Sequence, residues 1–244
     1  MNAARTAIAP PFDARSQAKS LLRIARTGAL ATLDRASGAP LTTLVAVASD
    51  YDGSPLFLLS TLSQHTKNLL ADPRGSLLLT GPSGRGDPLN RPRLTIGGKV
   101  VAHPEPGARA RFLARNPKAK LYASFADFSL FRAEISAVHF NGGFGRAAPL
   151  AAADILTDLT GAGELIEAEA ALLVEVNAGA AAAMAAMAGD KTARRRWRAI
   201  GLDPDGLDLA AGAHAARTSF AAPAATPQAW RDAIDASFGK QAAG

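Results

Sequence analysis

"ALATLDRASGAPLTTLVAVASDYDGSPLFLLS", residues 29–60, decides the fold. Three runs rich in Leu, Val and Thr, at 29–33, 41–49 and 56–60, are separated by DRASGAP and YDGSP, two short stretches of turn-forming residues. Connections this short return the chain beside itself, so the three runs pair antiparallel as a meander.

Working outward, residues 13–26 read as an amphipathic helix, with Asp13 as its cap, Ala18, Leu21, Leu22 and Ala25 on one face and Gly28 beyond its end. Downstream, Ser63 is placed to cap a short helix that Pro73 ends. GSLLLTG and RLTIGGKVVAH then resume β-type runs around a polar loop. Residues 104–116 and 118–125 read as helical, and 130–141 as a long strand. Six strands in this pattern predict a small barrel. An alanine-rich connector at 151–165 follows this first unit, residues 13–150, and precedes a small C-terminal α+β domain over 166–240. Within that domain the expectation is a helix at 167–188, a short one at 192–197, a β hairpin at GLDPDGLDL and a closing helix at 228–238.

Composition narrows the chemistry. The 244 residues, 48% hydrophobic, can bury a core, and no run of about 18 apolar residues stands ready to span a membrane. The N-terminus lacks the apolar centre of a signal peptide, so a cytoplasmic protein is expected. With no cysteine, thiolate metal sites and cysteine nucleophiles are excluded. His65, His103, His139 and His214 are scattered, and no metal site is expected of them. The net charge of +6 suits anionic small molecules as well as nucleic acid. No nucleic-acid motif accompanies the run of Arg194, Arg195, Arg196 and Arg198 around Trp197, which reads as the wet face of a helix with the tryptophan turned inward. Asp203, Asp205 and Asp208 lack the later glutamate of a calcium loop and read as a turn. No side-chain triad or carboxylate pair is recognisable, so redox chemistry would belong to a cofactor.

The long strand stops at Asn141, Gly142, Gly143, Phe144, Gly145 and Arg146. Glycine tolerates positive φ and close approach, so this is a tight turn or the wall of a site. Phe144 and Arg146 are then placed for packing or ligand contact.

The strings LSTLSQHTKNLLADPRGSLLL, RPRLTIGGKV and LYASFADFSLFRAEISAVHFNGGFGRA resemble the pyridoxamine 5'-phosphate oxidase-like split-barrel family, and within it the heme-iron-utilisation branch. The resemblance implies an α+β protein: a six-stranded antiparallel split β-barrel with flanking helices plus a small C-terminal α+β domain. It also implies a homodimer binding a small-molecule ligand at its interface, flavin mononucleotide (FMN) in one reading and heme in the alternative. Carried over by position, Ser60, Thr61, Ser63, His65 and Lys67 form the phosphate and ring segment, with Arg91 and Arg93 at a strand entrance. The strand before that segment offers Thr42 and Thr43 in place of the family's Arg and Lys. No counterpart of the substrate-binding Arg and His of the true oxidases occurs near the C-terminus, which removes vitamin oxidation. Where the branch carries C-terminal histidines this chain has Glu175, Val176 and Asn177, leaving His65, His139 and His214 as candidate iron ligands. The alternating register of 131–139 places His139 as a core or interface residue, and His103, before Pro104, in solvent. An FMN-dependent oxidoreductase is the leading expectation, ahead of a heme-binding or heme-degrading protein and a cofactor-free regulator.

Overall fold

The structure, a computed structural model, describes residues 12–82, 87–179, 181–192 and 194–242. Helix α1 (Ala14–Ile24) begins where the Asp13 carboxylate accepts from the Ser16 N–H at 3.1 Å, satisfying one of the donors a first turn leaves unpaired. Ala18, Leu21, Leu22 and Ala25 are buried, as their spacing requires.

The strands β1 (Thr27–Leu33), β2 (Pro40–Ala46), β3 (Ala48–Ser49), β4 (Pro55–Ser60), β5 (Arg74–Thr80), β6 (Arg93–Ala102), β7 (Phe128–Asn141) and β8 (Ala147–Leu150) form one antiparallel sheet. Its order is β2-β1-β5-β6-β7-β4-β3, with β8 added to β7. Only Val47 separates β2 from β3, yet the two lie at opposite ends of that order. The sheet must therefore curl until its ends adjoin. This differs from the six strands expected: the run 41–49 breaks at fully buried Val47, and the segment after the glycine turn adds a strand. Helix α2 (Gln64–Ala71) follows β4, and α3 (Pro106–Arg115) with a short 3₁₀ turn (Pro117–Leu121) connects β6 to β7.

Inside the curl, Leu30, Phe57, Leu79, Leu94 and Phe140 have no exposed surface. On the other side of β4 and β7, Phe112 of α3 packs with Leu56, Leu58 and Leu130. Each such side chain stabilises the fold by about 1.5–3 kcal/mol relative to exposure. The β6–β7 register shifts between Gly97 and Gly98, a bulge that lets the sheet bend. A Cβ on Gly98 would lie 1.9 Å from the Glu134 carbonyl oxygen, so only glycine fits there.

Beyond β8 come α4 (Ala152–Ile155), α5 (Gly163–Glu167), α6 (Glu169–Asn177), α7 (Ala181–Met187), β9 (Arg198–Asp203), β10 (Gly206–Ala211), β11 (His214–Ser219) and α8 (Pro227–Ala242). The second sheet runs β11-β10-β9 and packs with Leu165, Leu172, Met184 and Trp230 around its own core. Ile155 belongs to the first core and Leu165 to the second. The helix expected at 167–188 is interrupted at Ala178 and Gly179, and the hairpin expected at 201–209 gains a third strand. No helix forms among the described residues of 192–197. Trp197 nevertheless turns inward onto the second core, its indole N–H donating to Asp190 at 3.0 Å, while Arg194, Arg195, Arg196 and Arg198 stay exposed. Among the described residues no single helix is long and apolar enough to cross a membrane.

Candidate functional site

The end of β4, the following turn and the first turn of α2 bring the sequence-derived residues closest together. Thr43 on β2 and His65 on α2, 22 positions apart, meet with Oγ1 and Nδ1 3.1 Å from each other. His65 is half-buried, and this burial lowers its pKa, favouring the neutral imidazole. With Nδ1 engaged by the hydroxyl, Nε2 is the ring nitrogen left for another partner. Thr42 sits one residue along the strand and so on the opposite face of the sheet, where it is exposed.

Ser60 closes β4 by donating to the Asp127 carboxylate at 2.5 Å and accepting from the Leu62 N–H at 3.1 Å. Thr61 is exposed, held by a backbone bond from its N–H to the Asp127 carbonyl. Ser63 occupies the N-cap position of α2 as expected, but its side chain makes no capping hydrogen bond. Lys67 is half-buried, while the adjacent Leu62 is 74% exposed. Thr66 is fully buried with its hydroxyl unpartnered.

The remaining sequence-derived residues lie elsewhere. Ser60 pairs with Phe128 at the first residue of β7, whereas Arg93 pairs with Asn141 at the last. About 40 Å of extended strand separates those two positions, beyond the span of one small ligand. Arg93 donates to the Leu89 carbonyl at 2.6 Å, and Arg91 precedes it in the same half-buried stretch. Phe144 and Arg146 belong to the β7–β8 hairpin, which resolves the glycine cluster as a tight turn. Gly143 adopts φ +117°, and the Gly142 N–H bonds to the Arg146 carbonyl at 2.9 Å. Phe144 is 97% exposed, and the Arg146 guanidinium stacks over the Phe12 ring at 5.7 Å.

The other histidines lie elsewhere in the fold. His139 is exposed on the outer face of the sheet rather than in the core, because the bulge at Gly97 shifts the register of β7. It lies in the cross-strand row Leu44, Ala29, Leu78, Thr95, His139, Pro149, an outward and mainly apolar stripe on which Leu44 is 77% exposed. His103 is not simply solvated; its Nε2 is 3.4 Å from the Asp50 carboxylate. His214 opens β11 at the rim of a separate cleft.

Sequence reasoning missed a buried ionic junction. Arg23 of α1 reaches the Asp203 carboxylate at 3.1 Å and the Asp50 and Tyr51 carbonyls at 2.8 Å. Arg111 and Arg115 of α3 pair with Glu169 and Asp208, and Arg217 bridges Asp203 and Asp208 at 2.7 and 2.8 Å. Tyr51 donates to Glu169 at 2.7 Å and is overlain by the Arg111 guanidinium. Burial lowers the Arg23 pKa to about 10 despite Asp203. Burial acts to raise Asp203, but Arg23 and Arg217 together outweigh it and hold that carboxyl below the usual range. The available signal was positional: Arg111 and Arg115 share a helix face with buried Ala108 and Phe112. The turn expected at Asp203 to Asp208 is present at Pro204 and Asp205, with the flanking aspartates buried in these pairs.

Comparison with known proteins gives a family and relatives. Residues 10–156 match the sequence model of the family described as CREG, beta-barrel. Over 115 residues the chain is 38% identical to the chloroplastic non-canonical heme oxygenase HOZ of Arabidopsis thaliana, covering 45% of this chain and 34% of the relative. The chain thus spans about a third of that curated relative's length. A protein of unknown function from Agrobacterium tumefaciens, solved as a crystal structure, is 39% identical with a TM-score of 0.83, over 96% of this chain and 99% of that one. The structure of a heme binding protein from Mycobacterium smegmatis is 26% identical with a TM-score of 0.56, over 97% of this chain and 100% of that one.

Proposed function

Because the chain belongs to the CREG β-barrel family, we propose that it is a cytoplasmic heme-binding protein of the split-barrel group, working as a homodimer with the ligand in the cleft between subunits. The observation that carries this reading is the end-to-end match to the Mycobacterium smegmatis heme binding protein. The donor set fits the group. His65 has Nδ1 tethered by Thr43 and would offer Nε2 to the iron, Leu62 would give an exposed apolar contact, and Lys67 would supply a cation for a carboxylate. Bound heme would supply the iron chemistry; the chain's own part is to orient one imidazole and cover the ring.

A second copy is favoured by two features. The sequence-derived residues divide between the two ends of β7, and the stripe through Leu44 and His139 leaves apolar surface for a partner to cover. Heme binding rather than oxygenation is proposed, since the match to the Arabidopsis enzyme covers a third of that protein. Flavin ranks lower: Lys67 is the one cation in the segment 60–67, and Ser60 is committed to Asp127.

Optical titration with hemin tests the reading. The wild-type protein is expected to give a saturable Soret band, and His65→Ala to weaken binding at least about tenfold by removing the iron ligand. His139→Ala is expected to keep the Soret position. Since the folded His65 pKa lies below the ordinary value of about 6.5, ligation should persist at pH 6.5 and fail only at lower pH. A flat titration would overturn the proposal, and uptake of FMN instead would reinstate the flavin reading.

A further inference from the structure

A cleft of about 460 Å³ lies between the end of α1, the start of β1, Gly81 and Pro82 after β5, and the β10–β11 turn. That size is within the range of small-molecule sites. Leu21, Ile24 and Ala25 give it an apolar side, and Arg26, Thr27, Thr80 and His214 a polar one; among the described residues no carboxylate lines it.

Arg26 is unlike the junction arginines. It donates to the Gly212 carbonyl at 2.6 Å and to the Arg115 carbonyl, neither of which carries a formal charge. Arg23, Arg111, Arg115 and Arg217 each meet a carboxylate. A guanidinium has five N–H donors, so three remain after those two bonds, on a group whose charge meets no carboxylate among the described residues. The side chains of Thr27, Thr80 and His214 have no hydrogen-bond partner among the described residues. An uncompensated, half-buried cation beside free hydroxyls and an imidazole attracts an anion with several acceptor oxygens.

We propose that this cleft binds a small ligand through an oxyanion group, phosphate or carboxylate, with the ligand's apolar part against Leu21 and Ile24. The site is separate from His65 and stands independently of the heme reading. Because the cleft joins α1 to the β10–β11 turn, an occupant would touch both sheets' surroundings at once.

The test is titration of the full-length protein with inorganic phosphate and, separately, with benzoate, at ionic strength matched by chloride. It is followed by calorimetry and by the His214 ring resonances. Saturable binding of either probe that shifts the His214 ring is expected; phosphate alone or benzoate alone identifies the headgroup. Thr80→Val with His214→Ala should weaken that binding by well over tenfold, the loss of two hydrogen bonds to a charged group. Arg26→Lys should do so as well, but Arg26 also braces two carbonyls, so the double variant carries the decision. His65→Ala should leave anion binding intact, which separates this site from the heme site. The proposal is overturned if neither probe moves the ring beyond the chloride control, or if the double variant binds like the wild type.

Discussion

The ionic junction and the outer stripe of the sheet are handled by the chain in opposite ways. At the junction Arg23, Arg111, Arg115 and Arg217 meet Glu169, Asp203 and Asp208 with side chains at most 13% exposed. On the stripe, Leu44 is 77% exposed and its neighbours are small or apolar. Paired buried charges are directional, because a misplaced partner leaves an uncompensated charge in a poor dielectric. They therefore fix one arrangement of the C-terminal elements against the curled sheet. An apolar stripe is tolerant of detail and yields free energy in proportion to area, which suits reversible contact with a separate molecule.

The contrast can be broken most forcefully at Asp203. Asp203→Asn leaves Arg23 and Arg217 facing a neutral amide at full burial, and a loss of about 3–5 kcal/mol in denaturant unfolding is expected. Retention of wild-type stability would mean that the junction contributes no specificity. Acid offers a subtler version. Asp203 and Asp208 have folded pKa values below the unfolded value of about 3.9, so their contribution is complete above that pH and falls as the pH drops through the folded values. Tryptophan fluorescence should then report loosening around Trp197 and Trp230 below about pH 4, with β-sheet circular dichroism lagging behind. The smallest effect on folding belongs to the stripe: Leu44→Lys should change monomer stability by less than about 0.5 kcal/mol while shifting sedimentation from dimer toward monomer. Unchanged sedimentation would point to another surface for self-association.

Much of the sheet was legible because its turns are written in Gly, Pro, Asp and Ser and its strands in alternating apolar residues. The break at Val47 was not, since LVAVA around it carries no turn residue; the break is imposed by the need to join the two ends of a curled sheet. Alanine hid the interruption at Ala178 and Gly179, because alanine favours helix on either side of it without marking where one ends. In the candidate site, Ser60, Ser63, His65 and Lys67 were found as neighbours in sequence, and Thr43 came close to His65 only through packing of α2 beside β2. Arg91, Arg93, Phe144 and Arg146 could not be placed from local pattern, for their distance from Ser60 depends on which end of β7 each strand meets. The junction stayed hidden because pairs such as Arg23 with Asp203 join positions far apart in the chain, and local periodicity carries no information on them.

The long separation within that pair bears on biosynthesis. Arg23 leaves the ribosome about 180 residues ahead of Asp203, an interval of roughly 10–40 s at ordinary elongation speeds. From the moment each emerges, the nascent barrel must keep water on the Arg23, Arg111 and Arg115 guanidinium groups, and that hydration is shed only as Glu169 and then the aspartates of β9 and β10 arrive. A chain halted before those strands would present a cationic scar where the finished molecule has an interior.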